Sequence, residues 1–154
     1  MTNTSRYGFG RRRNGFTLIE TIIVLVVIAM MAALIAPKVN SAIGHARVQN
    51  SANVIAGDLQ LAFSLASRQR TPVRITVNST GTSYSIRTRA GTVIRERALG
   101  DGSDLRVSTM SSSVATLDVF PNGLASGPIS ITVGINGYEQ TISMTRAGQV
   151  RVTS

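Results

Sequence analysis

From Phe16 to Ala36 the chain runs for 21 residues that are apolar except at Thr17, Glu20 and Thr21. As a helix rising about 1.5 Å per residue, the run spans roughly 31 Å, which matches the hydrocarbon core of a bilayer. With 154 residues, the chain has room for this element and one modest domain, and a second globular domain is not expected. Arg6, Arg11, Arg12 and Arg13 crowd the N-terminal side without any acidic residue, and only Lys38 follows closely on the other side. That asymmetry places the N-terminus in the cytoplasm and the rest of the chain outside. A cleaved secretory signal would be shorter and would carry a small-x-small site. Here Leu34 stands at the third residue back from Ala36, and Pro37 would follow the cut.

Glu20 is the anomaly in this run. A carboxylate within an apolar helix costs on the order of 2.5 to 3.5 kcal/mol at mid-membrane and less near its edge. The segment holds no basic side chain. The nearest candidate partner is therefore the α-amino group created by a cut before Phe16.

Gly15, Phe16, Thr17, Leu18, Ile19 and Glu20 read G-F-T-L-I-E after a basic leader. This resembles the type III signal of type IV pilins and type II secretion pseudopilins. The resemblance implies that a prepilin peptidase cuts after Gly15 and methylates Phe16. It also implies that Glu20, fifth in the mature chain, meets the amino terminus of a neighbouring subunit. Pro37 matches a proline common in such stalks. The implied partners are the peptidase, other pilins or pseudopilins, an inner-membrane assembly platform and membrane lipid. The implied location is the bacterial inner membrane, single-pass, with a periplasmic body built into a filament.

Beyond Pro37 the apolar period becomes that of an amphipathic helix. Val39, Ile43, Ala46, Ala52, Ile55, Leu59, Ala62, Phe63 and Ala66 recur at steps of three and four, with a gap at Asn50. The helix should end near Arg70, because Thr71 precedes Pro72. Alternating strands are expected around Val73 to Val77, Tyr84 and Ile86, Leu105 and Val107, Leu117 and Val119, and Ile129 to Ile135. Asn136 and Gly137 signal a hairpin into residues 139–145, and Ala147 with Gly148 starts another turn. The stretch from Phe120, Pro121, Asn122 and Gly123 through Gly127, Ile129, Ile131, Asn136, Gly137, Ile142, Gly148 and Val150 is similar to the C-terminal part of the GspH/FimT-like minor pseudopilins. The expected fold is α+β and pilin-like, with a long N-terminal helix and a small, sandwich-like antiparallel β domain. The expected organisation is a leader at 1–15, a transmembrane helix at 16–36, a stalk at 37–70 and a β-rich domain at 71–154.

Little in the chain suggests catalysis. There is no cysteine, and His45 is the only histidine. No glycine-rich phosphate loop follows a strand, and no nucleophile elbow is present. Asp101 and Asp104 in their Gly-Ser loop read as a solvated turn. No enzymatic activity, cofactor or metal is expected.

The charge is more informative. The net charge is +9, and without the leader 12 basic and 7 acidic residues leave +5. No acid lies between Asp58 and Glu96, an interval holding Arg68, Arg70, Arg74, Arg87, Arg89 and Arg95. Arg87 and Arg89 lie opposite Tyr84 and Ile86 on their strand, and Arg95 and Arg97 lie opposite Ile94. If both apolar faces point inward, all four arginines project outward together, an arrangement that needs a bulge or an odd-length loop. With Arg151 they would form a candidate nucleic-acid or acidic-partner surface. A solvated basic face is the plainer reading. DNA-binding relatives carry Gly-Arg-x-Arg near the C-terminus, where this chain has Gly148, Gln149, Val150 and Arg151.

The expected function is a minor pseudopilin of a type II secretion system. The alternatives are a FimT-like DNA-binding minor pilin of a type IV pilus and a single-pass membrane protein that does not polymerise. The first test is intact-mass spectrometry of the chain purified from membranes, which should start at a methylated Phe16. Gly15→Ala should leave the longer form in the membrane, and an N-terminus at Met1 or beyond Ala36 in the unsubstituted chain would defeat the reading.

Overall fold

The computed structural model describes residues 15–153. Residues 1–14 of the expected leader therefore lie outside the described residues, as do the side chains of Ala36 and Pro37. Helix α1 covers Leu18–Gln69, and eight strands follow: β1 (Val73–Asn78), β2 (Ser83–Thr88), β3 (Val93–Ala98), β4 (Thr109–Ser112), β5 (Thr116–Val119), β6 (Ile129–Ile135), β7 (Tyr138–Met144) and β8 (Val150–Thr153). The chain divides into two compact units at residues 38 and 39.

In the first unit α1 is apolar on all sides apart from Glu20 and Thr21, and its large side chains are exposed, Leu18 by 80% and Leu34 by 73%. Its start is set by Thr17, whose Oγ1 accepts a hydrogen bond from the Glu20 backbone N–H at 3.3 Å. That is an N-cap followed by an acid three residues on.

In the second unit α1 buries one stripe: Val48, Ala52, Ile55, Leu59, Ala62 and Ala66. Val39, Ile43 and Ala46, expected on that stripe, are exposed instead. Close packing begins at Gly44, where an added Cβ would lie 3.9 Å from Ile135 Cγ2, and Val48 continues it. The helix ends one residue before Arg70, which takes a left-handed φ of 54° as a C-terminal cap before Pro72.

The strands form two antiparallel four-stranded sheets with orders β3-β2-β1-β5 (sheet A) and β4-β6-β7-β8 (sheet B). Val73, Ile75, Val77, Tyr84, Ile86, Leu117 and Val119 of sheet A join Met110, Ile129, Ile131, Val133, Ile135, Ile142 and Met144 of sheet B in one core with the α1 stripe. The fold is the α+β arrangement expected, one long helix followed by small antiparallel sheets. Asn136 and Gly137 both take positive φ, 51° and 84°, in the tight turn joining β6 to β7.

Leu105 and Val107 do not form a strand. Arg106 between them adopts a left-handed φ of 47°, which breaks the extended path. Val107 instead plugs the core, its N–H donating to the Leu99 carbonyl, and β4 starts at Thr109.

Gly148 has both a conformational and a steric reason to be glycine. Its φ is +81°, and an added Cβ would lie 2.7 Å from Cε1 of Phe63 on α1. Gly148→Ala should lower stability by about 1 to 3 kcal/mol in denaturant unfolding. Gly127→Ala, where nothing lies within 4 Å of the added carbon, should stay within about 0.5 kcal/mol. Equal effects would remove the close-approach argument.

Candidate functional site

The β2–β3 hairpin decides where the arginines go. Thr88 N–H donates to the Thr92 carbonyl and Gly91 N–H to the Thr88 carbonyl, each at 2.9 Å, closing an odd loop of Arg89, Ala90 and Gly91. The register then shifts at a bulge between Ile86 and Arg87. Either irregularity alone changes the parity of the pairing, and together they cancel. Arg95 therefore pairs with Ile86 and Arg97 with Tyr84, on the face that points at the core. The four arginines do not project outward together; Arg95 and Arg97 turn toward α1.

What they meet is Asp58, a carboxylate within the apolar stripe of α1 and only 4% exposed. Arg95 Nη1 donates to Oδ1 at 2.8 Å, Arg97 Nε to Oδ2 at 2.5 Å, and Tyr84 Oη to Oδ2 at 2.6 Å. Burial pushes the Asp58 carboxyl up. The hydrogen bonds from Arg97 and Tyr84 and the fields of Arg97 and Arg95 outweigh it, holding the group below the ordinary carboxylate range. Burial, then the bond to Asp58, raises the Tyr84 phenol well above its usual value, so it remains a donor. This clamp ties the edge strand β3 to the helix. Its sequence signal was a lone acid three residues after Ile55 and one before Leu59.

The outer face of sheet A is close to electrically balanced. Arg74 grips Asp118 with two hydrogen bonds, 2.7 and 2.9 Å, and that grip, against partial burial, lowers the Asp118 carboxyl. Arg87 sits opposite Arg74 and donates to Ser85 Oγ at 3.2 Å. Glu96 pairs with Ser85 and lines the same shallow cleft as Arg87. Arg89 is exposed in the hairpin loop, and Arg151 is exposed on β8 in sheet B. The five arginines expected to share one surface thus divide among four places: the Asp58 clamp, the outer face of sheet A, the hairpin loop and β8. Gly148, read earlier beside Arg151 as half of a DNA-binding motif, has the packing role against Phe63 described above.

At the N-terminal end, Gly15, Phe16 and Glu20 are exposed on or just before the first turn of α1. Among the described residues Glu20 has no ion-pair partner. Asp104 lines an open cleft with Glu96 and Arg97. No group of three or more potential metal ligands occurs among the described residues. The His45 ring rests against Tyr138 with centroids 4.6 Å apart.

Comparison with known proteins adds three findings. Residues 10–36 match the prokaryotic N-terminal methylation motif, and residues 51–152 match the type II transport protein GspH family. The structure is similar to the type IV minor pilin FimU of Pseudomonas aeruginosa, with TM-score 0.55, 22% identity, and coverage of 69% of this chain and 92% of that one. It is also similar to the minor pseudopilin EpsH of the Vibrio cholerae type 2 secretion system, with TM-score 0.57, 11% identity, and coverage of 70% and 97%. At these identities the two likenesses concern the fold. No curated protein matches the sequence.

The Asp58 clamp gives an acid-stability prediction. A carboxyl lowered by folding contributes stability that is complete above its unfolded value, about 3.9, and is lost as pH falls through the lower folded value. Asp58→Asn should reduce stability at neutral pH by about 1 to 3 kcal/mol, since it removes the negative charge that Arg95 and Arg97 face and one of the two oxygens that accept from Tyr84 and the arginines. It should also flatten the loss below about pH 4. Urea unfolding across acidic pH checks both, and an unchanged acid limb would show that the clamp carries none of that sensitivity.

Proposed function

The chain belongs to the type II transport protein GspH family, and on that premise we propose that it is a minor pseudopilin, a structural subunit of a type II secretion pseudopilus and not an enzyme. One observation carries the reading. A methylation motif at residues 10–36 and a GspH body at residues 51–152 stand on one chain, and α1 leads from the first into the second. In this reading a prepilin peptidase removes residues 1–15 and methylates Phe16. The apolar half of α1 holds the chain in the inner membrane with its N-terminus cytoplasmic, and the β-rich body lies in the periplasm. An assembly platform then moves the subunit into a filament, where the apolar helix exchanges lipid for the helices of other pseudopilins.

The same fold is found in a type IV minor pilin, so fold alone does not separate secretion from a DNA-binding pilus. Charge placement favours secretion. Arg95 and Arg97 are committed to Asp58 and Arg74 to Asp118. Arg87 and Arg89 lie on the β2–β3 hairpin of sheet A and Arg151 on β8 of sheet B, whereas a duplex-binding face gathers its phosphate contacts along one surface.

Glu20 provides the test. In lipid its carboxylate needs a cation, and the amino terminus of a neighbouring Phe16 supplies one. Glu20→Leu should insert and be processed normally yet enter filaments poorly. A lost pair worth about 1.4 kcal/mol corresponds to about tenfold less incorporation, measured on sheared or cross-linked filaments. Normal incorporation would sink the pairing role and with it the assembly reading of the N-terminus.

A further inference from the structure

Four strand edges bound the two sheets, and they are not equally defended. An open edge presents unpaired N–H and C=O groups, and native proteins usually blunt it with bulges, inward-pointing charges or covering loops. β3 has two such devices: inward-turned Arg95 and Arg97, and a bulge in its pairing with β2. β5 is covered by its own following loop, through Ser126 N–H to the Asp118 carbonyl at 2.8 Å and a bridge between Val119 and Ala125. β4 and β8 are equally short, four residues each; β4 bears no charge, and β8 carries Arg151, which faces away from the core. β8 has no bulge, no proline and no covering segment among the described residues.

The hairpin geometry says which groups of β8 face outward. Thr145 N–H donates to the Gln149 carbonyl, so the hydrogen-bonded pairs of the ladder fall at Ser143 with Arg151 and at Thr141 with Thr153. The N–H and C=O groups of Val150 and Val152 consequently point away from β7. Their side chains are half-buried against the core, while Arg151 and Thr153 are exposed on the opposite face. From Gln140 to the end the sequence has Arg146 and Arg151 and no acid.

We infer that the outer edge of β8 takes an extended segment of another protein as an added strand of sheet B, with apolar and acidic residues alternating along that segment. Main-chain bonds to Val150 and Val152 hold it, as in other cases of strand addition. Its apolar side chains extend the cover over Val150 and Val152, and its acids meet Arg151. A second copy of β8 fits poorly, because antiparallel self-pairing brings Arg151 toward its twin. The proposal goes beyond the pseudopilin reading and is tested without filaments.

The experiment uses the full chain in detergent micelles and a short blocked peptide alternating valine and glutamate. Amide hydrogen exchange is followed at Val150 and Val152. Saturating peptide should slow both amides by about tenfold or more, and a valine–lysine peptide should not. Val152→Pro removes an outward donor without touching a bond to β7 and should abolish the protection of the Val150 amide, the one then left to follow, while the melting temperature stays close to that of the unsubstituted chain. Should that variant unfold, Arg151→Glu serves in its place and should transfer the preference to the lysine peptide. The proposal is overturned if the glutamate peptide leaves both amides unprotected, if both peptides protect equally, or if protection survives the two substitutions. It is also overturned if duplex DNA displaces the peptide by binding Arg151 without protecting the amides, because the surface would then be an anion patch.

Discussion

One helix has to satisfy two different surroundings, and everything else in the chain is arranged around that requirement. In its first half α1 is apolar on every side, which water does not tolerate and lipid or other apolar helices do. In its second half the apolar residues narrow to a stripe, and water can cover the rest. Two small sheets are what bury that stripe. Ala52, Ala62 and Ala66 are fully buried on it, and their small size lets the sheets come close. Gly148 does the same from the opposite side, its missing Cβ admitting the ring of Phe63. At about 1.5 to 3 kcal/mol for each large apolar side chain buried, residues such as Ile55, Leu59, Ile75 and Ile131 supply the driving force for the body.

Much of this was legible in the sequence because the relevant signals are local. The alternation from Ile129 to Ile135 and the Asn136–Gly137 turn specify β6 and its hairpin within a dozen residues, and the apolar run is visible at once. What was not legible depends on pairing between distant positions. The facing of Arg95 and Arg97 rests on two irregularities of opposite effect, an odd loop and a bulge, and a local pattern cannot count both. Val107 looked like half of a strand because burial and strand alternation produce the same hydrophobic residue. The left-handed Arg106 beside it leaves no sequence signature, since arginine has no special preference for that conformation. The exposure of Val39 and Ile43 was hidden for a related reason, as the helical period continues past the point where the body stops packing on it.

The arginine-rich interval is partly neutralised from within: Arg74 pairs with Asp118 and Arg95 with Asp58, joined by Arg97 just beyond the interval, while Arg68, Arg70 and Arg89 are exposed. An acid-free stretch from residue 59 to 95 suggests a strong positive field only if its charges find no partner elsewhere in the fold. Asp58 and Asp118 bound two of those strands to their neighbours and draw in three arginines. A buried clamp of this kind contributes little net energy relative to an apolar replacement, but it discriminates strongly between registers. A one-residue slip of β3 would put Arg95 and Arg97 outside and leave Asp58 buried without a counter-charge. The clamp thus fixes the pairing of the very hairpin whose irregularities would otherwise leave its register loosely specified.

Helix α1 contains two acidic residues, Glu20 and Asp58, and both stand in apolar sequence. The second shows what such an acid requires. Asp58 accepts three hydrogen bonds, two of them from arginines 37 and 39 positions away on an edge strand. The segment around Glu20 contains no basic side chain, and among the described residues none pairs with it. The cost of an unpaired carboxylate in an apolar medium is similar in kind at either end of the helix. The body meets that cost within its own chain, whereas the anchor carries nothing in its own segment to meet it with. Asp58 is thus satisfied within the fold, whereas Glu20 has no ion pair among the described residues, and under the proposed pseudopilin reading the amino terminus of a neighbouring Phe16 would supply its cation.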